Sequence, residues 1–394
     1  MIRKLTYLIL SILLILSCNK NNLEKDNTLI IKYDKSKKKS NIFEVIKDVK
    51  LYKLAKQNEE IILPNIRNII KIKKKYFYSS DINNGTFLIS DSIGNLHSSF
   101  NKLGPGPQEY SELTCFDVDD DYIYIYDFQK QNIKIYDYAG NFQKSNKIAY
   151  YFRDFIKTDY GYVLFTAKHS NKINEELLNF DLLLINNTGN VLKKYFPFNP
   201  DFYSTVRLHK SSPFYKTNNT LLFNDLMSDS IFSIGTKNID KKLKYSFMYK
   251  TKTLTKAQIN QPQDILIKDL LKISNSSEDI SYFANLKYIS SENILYNYKK
   301  GASSIYVFFN KKNNSEKLYS FNKINIENES IFSPFFNEDD NLVSLIHPYS
   351  LTFLKNEYLK YNGKDSIFIK RINKLINNTE EDGNQLVMKY KLKN

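Results

Sequence analysis

Tryptophan is absent from this chain, and cysteine, histidine, glycine and proline are all scarce. Each shortage excludes something. Two cysteines, Cys18 and Cys115, cannot make a disulfide-stapled scaffold. The four histidines, His97, His169, His209 and His347, are scattered, and no pair has helical ligand spacing, so no metal site is legible. Neither a nucleophile elbow nor a linear Ser, His and Asp arrangement occurs, so no catalytic residue can be named and no cofactor is implied. Apolar runs are short. The longest, Leu5 to Leu16, is interrupted by Thr6 and Ser11 and is about a dozen residues, whereas a membrane core needs roughly 20.

Charge of one sign is in excess, with a formal net charge of +15. Its densest stretches are Lys35 to Lys39, broken by Ser36, and Lys71 to Lys75, broken by Ile72. The aromatic interleaving and motifs of a nucleic-acid module are missing around both, so these lysines read as solvated surface and no nucleic-acid partner is expected. Lys, Asn and Ile are abundant together, the pattern of an AT-rich genome.

The N-terminus has the parts of a secretory signal: Arg3 and Lys4, the short apolar run, and a small residue at Ser17. Ile15-Leu16-Ser17-Cys18 resembles the lipobox of bacterial lipoproteins. That resemblance implies cleavage after residue 17, diacylation of the Cys18 thiol and a stable membrane anchor through Cys18, since two acyl chains hold where one does not. Residues 18–28 are polar and read as a flexible tether. Cys115 is then alone and unable to pair. Its setting, Leu113-Thr114-Cys115-Phe116, reads as strand core rather than a reactive thiol.

From residue 29 to 394 the chain reads as a single all-β domain, strand after strand, rich in Tyr, Phe and Ile and punctuated by Asn, Asp, Gly and Lys. Its clearest unit is Phe116 to Phe142, with strands at Phe116–Asp119, Tyr122–Tyr126 and Asn132–Tyr136 and a tight turn at Ala139-Gly140-Asn141. Similar units follow at Tyr76 to Phe100, Phe155 to Phe196 (with an insertion near Asn171 to Asn179), Phe214 to Tyr249, Tyr288 to Ile324 and Ile331 to Leu359. Six four-stranded antiparallel units at roughly 40 to 60 residues each predict a six-bladed β-propeller. Thr253 to Leu271 has helical spacing, as does Ser366 to Ile376. A last strand at Leu386 to Tyr390 is expected to pair into an early blade and close the ring.

Two segments carry a family resemblance. Leu103-Gly104-Pro105-Gly106-Pro107-Gln108-Glu109-Tyr110 resembles the Gly-x-Gly-Pro-Gly-Glu-Tyr connection of the six-bladed propeller lipoproteins common in Bacteroidetes. The tail, Glu381-Asp382-Gly383-Asn384-Gln385-Leu386-Val387, is similar to that family's helix followed by Asp-Asn-Pro-Val-Leu. Gln108 and Gln385 depart from its usual Gly and Pro. The resemblance implies the propeller and an envelope location but no agreed activity.

Two groups of residues are candidates for chemistry. Gly104, Gly106, Glu109 and Tyr110 form either a ligand-contacting loop or a purely structural inter-blade turn. Asp117, Asp119, Asp120 and Asp121 could supply oxygens to a cation, although solvated carboxylates around a hairpin turn are the commoner outcome. Any of Arg67, Arg153 and Arg207 pointing into the channel would suit an anionic ligand. The expected function is a non-enzymatic binding or scaffolding module of the cell envelope, with a protein, peptide or glycan partner. The alternative is a propeller enzyme, a lyase or hydrolase, with its active site at the central channel. The first acid after Cys18 is Glu24, which favours the periplasmic face of the outer membrane over the cell surface.

Overall fold

Burial along the strands shows how the sheets are stacked. Ile123–Asp127 is buried at all five positions and Gly161–Phe165 likewise, so both faces of these strands are covered. Leu96–Asn101 instead alternates between half-buried and exposed, the mark of an outer strand. In the computed structural model, described at residues 29–32, 41–54, 66, 68–79, 85–173, 175–200, 212–217, 220–224, 230–235, 241–248, 252–254, 258, 261, 263–275, 280–301, 303–321, 331–338, 341–362, 367–378 and 383–393, these strands build a six-bladed β-propeller. Cys18, residues 1–28, Arg67, Arg207, His209, Glu381 and Asp382 lie outside the described residues.

Blade 1 comprises Ile69–Ile72, Lys75–Ser79, Thr86–Asp91 and Leu96–Asn101. Blade 2 comprises Cys115–Val118, Ile123–Asp127, Asn132–Tyr136 and Phe142–Lys147. Blade 3 runs from Asp154–Thr158 through Gly161–Phe165 and Phe180–Asn186 to Val191–Pro197, with a separate hairpin, Asn171–Ile173 and Glu176–Leu178, inserted between its second and third strands. Blade 4 (Phe214–Thr217 to Lys241–Met248) carries Leu29–Lys32 as a parallel fifth strand on its outer edge. Blade 5 spans Ile280–Ile289 to Ser315–Phe321, preceded by the helix Gln263–Asn275 in the expected insertion. Among the described residues no helix is long and apolar enough to cross a membrane.

Blade 6 differs from the expected closure. Only Phe336–Glu338 and Asn341–Ile346 of the unit 331–359 are strands, and Ser350–Asn362 is a helix. The third strand is Leu386–Leu392, after the helix Ile367–Asn377, and the fourth is Ile46–Lys53 from the other end of the chain. The last strand therefore stays in the last blade, and an early strand comes to it. Ile46–Lys53 pairs with Leu386–Leu392 and so completes the four strands of blade 6.

Six apolar clusters lie between consecutive blades. Phe77, Phe87, Phe116 and Ile125 join blades 1 and 2, and Tyr126, Ile133, Phe155 and Leu164 join blades 2 and 3. The remaining seams are filled likewise, the sixth by Tyr76, Tyr78, Val343 and Val387. A repeated turn completes the packing. In blades 1 and 2, Asp91 and Asp137 each accept backbone N–H bonds from residues two and four positions on, and Asn186 does so in blade 3. The glycines of these turns, Gly94, Gly140 and Gly189, have φ of +89°, +83° and +88°. Each faces the outer strand of the preceding blade: a Cβ would lie 2.0 Å from the Lys53 carbonyl at Gly94 and 2.7 Å from the Phe100 ring at Gly140.

Candidate functional site

An antiparallel meander alternates its turns. The connections between second and third strands, and those from one blade to the next, therefore share one face of the ring. Residues 102–114 cross that face from blade 1 to blade 2. Tyr110 N donates to the Lys102 carbonyl at 2.9 Å and Gly104 N to the Tyr110 carbonyl at 3.0 Å, closing the loop on itself. The Glu109 carboxylate folds inward and accepts from Gly106 N at 2.8 Å. A Cβ on Gly104 would sit 2.1 Å from Glu109 Oε2, so this close approach requires glycine. Tyr110 is buried, its hydroxyl donates to the Gly85 carbonyl, and burial pushes its pKa up to about 12.

The neighbouring blade fastens this loop from below. Lys130 Nζ donates to the carbonyls of Gly104, Gly106 and Glu109 at 3.2, 3.1 and 3.0 Å. Lys134 Nζ reaches the Pro107 carbonyl at 2.7 Å, and Tyr136 Oη the Gln108 carbonyl at 2.7 Å. Glu109 and Tyr110 are thus spent on internal bonds, while Leu103, Pro105, Pro107 and Gln108 are exposed.

The four aspartates take separate paths. Asp117 is buried on the innermost strand of blade 2, where Oδ2 accepts from Lys157 N of blade 3 at 2.7 Å and Oδ1 from Val118 N at 2.9 Å. Burial raises its pKa, and Lys216 opposes the rise. Asp119 caps its own turn, accepting from Asp121 N and Tyr122 N at 3.0 and 2.8 Å. Asp120 pairs with Lys73 across solvent at 3.5 Å, and Asp121 is exposed. Among the described residues no group of three His, Cys, Asp or Glu could hold a metal ion.

A second buried carboxyl, Asp154, begins the innermost strand of blade 3. Its Oδ1 accepts from Phe155 N at 2.9 Å. Burial lifts its pKa to about 6, helped by the charge of Asp117 and opposed by a Ser212 hydrogen bond and by Arg153. Cys115 lies close by, its thiol pushed well above the usual value by burial and then by Asp154. Arg153 directly precedes this strand and is half-buried.

The same face of the ring carries a feature that no motif announced. The rings of Phe128, Tyr151 and His169 form a row with centroids 5.1 and 5.2 Å apart. Phe128 and Tyr151 remain 40% and 37% exposed, so the row is open to solvent. Buried polar groups hold the row in place. Asn171 Oδ1 accepts from Tyr151 N at 2.6 Å, and its Nδ2 donates to the carbonyls of Tyr151 and His169 at 3.1 and 3.2 Å. Asp181 Oδ1 accepts from Lys168 N at 2.8 Å. Ala167 and Lys168 are both left-handed, with φ of +51° and +60°, a strain that the surrounding hydrogen bonds sustain. Partial burial lowers the pKa of His169 and so disfavours its charged form. His97 and His347 lie elsewhere, the latter stacked on Tyr349 and 2.9 Å from Gln385 Nε2.

Comparison with known proteins agrees with this architecture. A crystal structure of a protein from Bacteroides fragilis, described as exported, superposes with a TM-score of 0.70 at 14% identity, covering 93% of this chain and 100% of that one. A member of the DUF4221 family from Bacteroides vulgatus gives 0.46 at 11% identity, covering 89% and 97%. A streptogramin B lyase gives 0.40 at 12% identity, covering 77% and 96%. At 14% identity the likeness to the Bacteroides fragilis protein is one of fold. Among curated proteins none matches the chain. The sequence profile described as Domain of unknown function (DUF4934) matches residues 28–391, and the chain belongs to that family.

Proposed function

We propose that this protein is an envelope lipoprotein, anchored through Cys18, whose propeller is a non-enzymatic binding module taking a partner on the connector face. The observation that carries this reading is the aromatic row Phe128, Tyr151 and His169. Its rings stand together at the surface, and the buried Asn171 and Asp181 fix them in advance of any encounter. Rigid exposed aromatics are typical anchors for a protein, peptide or glycan. The signal-like N-terminus, the Ser17-Cys18 junction and the description of the Bacteroides fragilis structure as an exported protein support the envelope location. Within the envelope, the outer membrane with its periplasmic face is the favoured site.

Crosslinking of the tagged protein in its native cells tests the binding reading. A repeatable partner that is lost in Tyr151→Ala supports it, and an unchanged set of crosslinks in that variant removes it. Labelling with a radioactive fatty acid tests the anchor, which predicts incorporation that Cys18→Ala abolishes. The enzyme reading is favoured by Asp154, whose carboxyl titrates near 6 beside Arg153 and Asp117. Turnover of an envelope glycan or peptide that Asp154→Asn abolishes would establish it.

A further inference from the structure

The opposite face of the ring holds an open cleft of about 790 Å³ between blades 5 and 6, within the size range of small-ligand sites. Its position follows from the way the ring closes. In blades 1 to 3 a tight turn joins the third and fourth strands and leans on a neighbour. Blade 6 has no such turn, because its third and fourth strands are opposite ends of the chain. Lys391 and Lys393 at one end and Lys47 at the other form one wall of the cleft, and the turn Ser290 to Asn293 of blade 5 forms the facing wall.

We propose that this cleft binds an acidic oligosaccharide. Lys47, Lys391 and Lys393 line it against one carboxylate, Glu292, so even with the Lys393 ammonium bonded to the Phe43 carbonyl its net positive charge favours an anion. Hydroxyl and amide groups from Ser291, Asn293 and Asn337 share the lining, with half-buried Tyr288 beside them. Such a surface suits a polyhydroxylated ligand better than an apolar one. The walls are held in advance. Ser290 Oγ accepts from Asn293 N at 2.9 Å, Lys311 Nζ donates to the Ser290 carbonyl at 2.6 Å, and Lys393 Nζ donates to the Phe43 carbonyl at 2.5 Å. Lys47 is exposed and available to meet a carboxylate. A ligand spanning Lys47 and Lys391 ties the two chain ends together and therefore stabilises the closed ring.

Calorimetric titration of the purified full chain with trigalacturonic acid, with maltotriose as the uncharged comparison, tests the site. The acidic trisaccharide is expected to bind at least tenfold more tightly, to weaken as salt is raised, and to raise the melting temperature. Lys47→Ala, at an exposed position where folding is not at stake, is expected to weaken binding about tenfold, the effect of losing one close charge contact. Tyr151→Ala on the other face should leave it unchanged, which separates this site from the connector-face reading. Equal affinity for the two sugars, binding of neither, or full affinity in Lys47→Ala would overturn the proposal.

Discussion

The seam between blades 1 and 2 and the seam between blades 5 and 6 solve the same packing problem with different materials. At the first, a repeated turn leans on the neighbouring blade, and Lys130 of blade 2 holds three carbonyls of the closed connector. At the second, two chain ends and the helices Ser350–Asn362 and Ile367–Asn377 replace the repeat. Asn41 caps the short helix Ile42–Val45 and also reaches Glu357, binding the N-terminal end to the helices. The regular seam is bridged by its turn and connector, and the irregular one retains a cleft. Repetition gives closure, and room for a ligand appears where the repeat is interrupted.

The regular seams should break most sharply at Gly94. Alanine there meets both the left-handed backbone and the Lys53 carbonyl, and a loss on the order of 3 kcal/mol in urea unfolding is expected. Gly189 has the same φ, but its nearest obstacle, the Lys147 carbonyl, is 3.3 Å away, so Gly189→Ala should cost only about 1 kcal/mol. Equal losses would mean that backbone conformation alone matters. Next in size is Lys130→Met, which leaves three inward carbonyls without their donor and should cost about 2 kcal/mol, with faster hydrogen exchange at Gly104 and Tyr110.

Asp154 gives a smaller effect with a definite sign. Its folded carboxyl titrates near 6, against about 3.9 in an unfolded chain. Between those values the native state holds the extra proton, so stability falls as pH rises through that window. Asp154→Asn should remove this dependence and melt higher than the parent at pH 7. A lower melting temperature there would show that the charged carboxylate is needed by the fold. The smallest effect concerns the repeated turn. Asn141 holds the Asp137 carboxyl below its usual range through its side-chain amide, so its contribution fades as pH falls through the folded pKa. Asn186 in blade 3 does not titrate. Hydrogen exchange in acid should therefore quicken at Gly140 and not at Gly189.

Much of the fold was legible because each blade repeats a local code. Tyr122 to Tyr126 and Asn132 to Tyr136 alternate as strands must, and Gly94, Gly140 and Gly189 mark turns that need φ above zero. The closing blade was misread for a physical reason. Ile46–Lys53 has an exposed, lysine-rich pattern that carries no sign of a partner 346 residues away, the separation of Ile46 and Leu392. Leu351, Leu354 and Tyr358 in Ser350–Asn362 are spaced for a helix, but their apolar density continues that of the strand before them. The connector stood out for its glycines and prolines, whereas the aromatic row did not. Phe128, Tyr151 and His169 lie in three separate connections, and only the ring geometry brings them together.

The pairing of Ile46–Lys53 with Leu386–Leu392 also sets the order of events during biogenesis. Ile46–Lys53 has no partner in its blade until the chain has been made as far as Leu386–Leu392. Blades 1 to 5 can form as local hairpins while the chain emerges, but closure is a single late step with a large loop to be ordered first. Until then the edges of Ile46–Lys53 and of blade 6 stand open to other chains. Loss of the final nine residues would therefore leave a chain that makes most of its blades and cannot complete its ring.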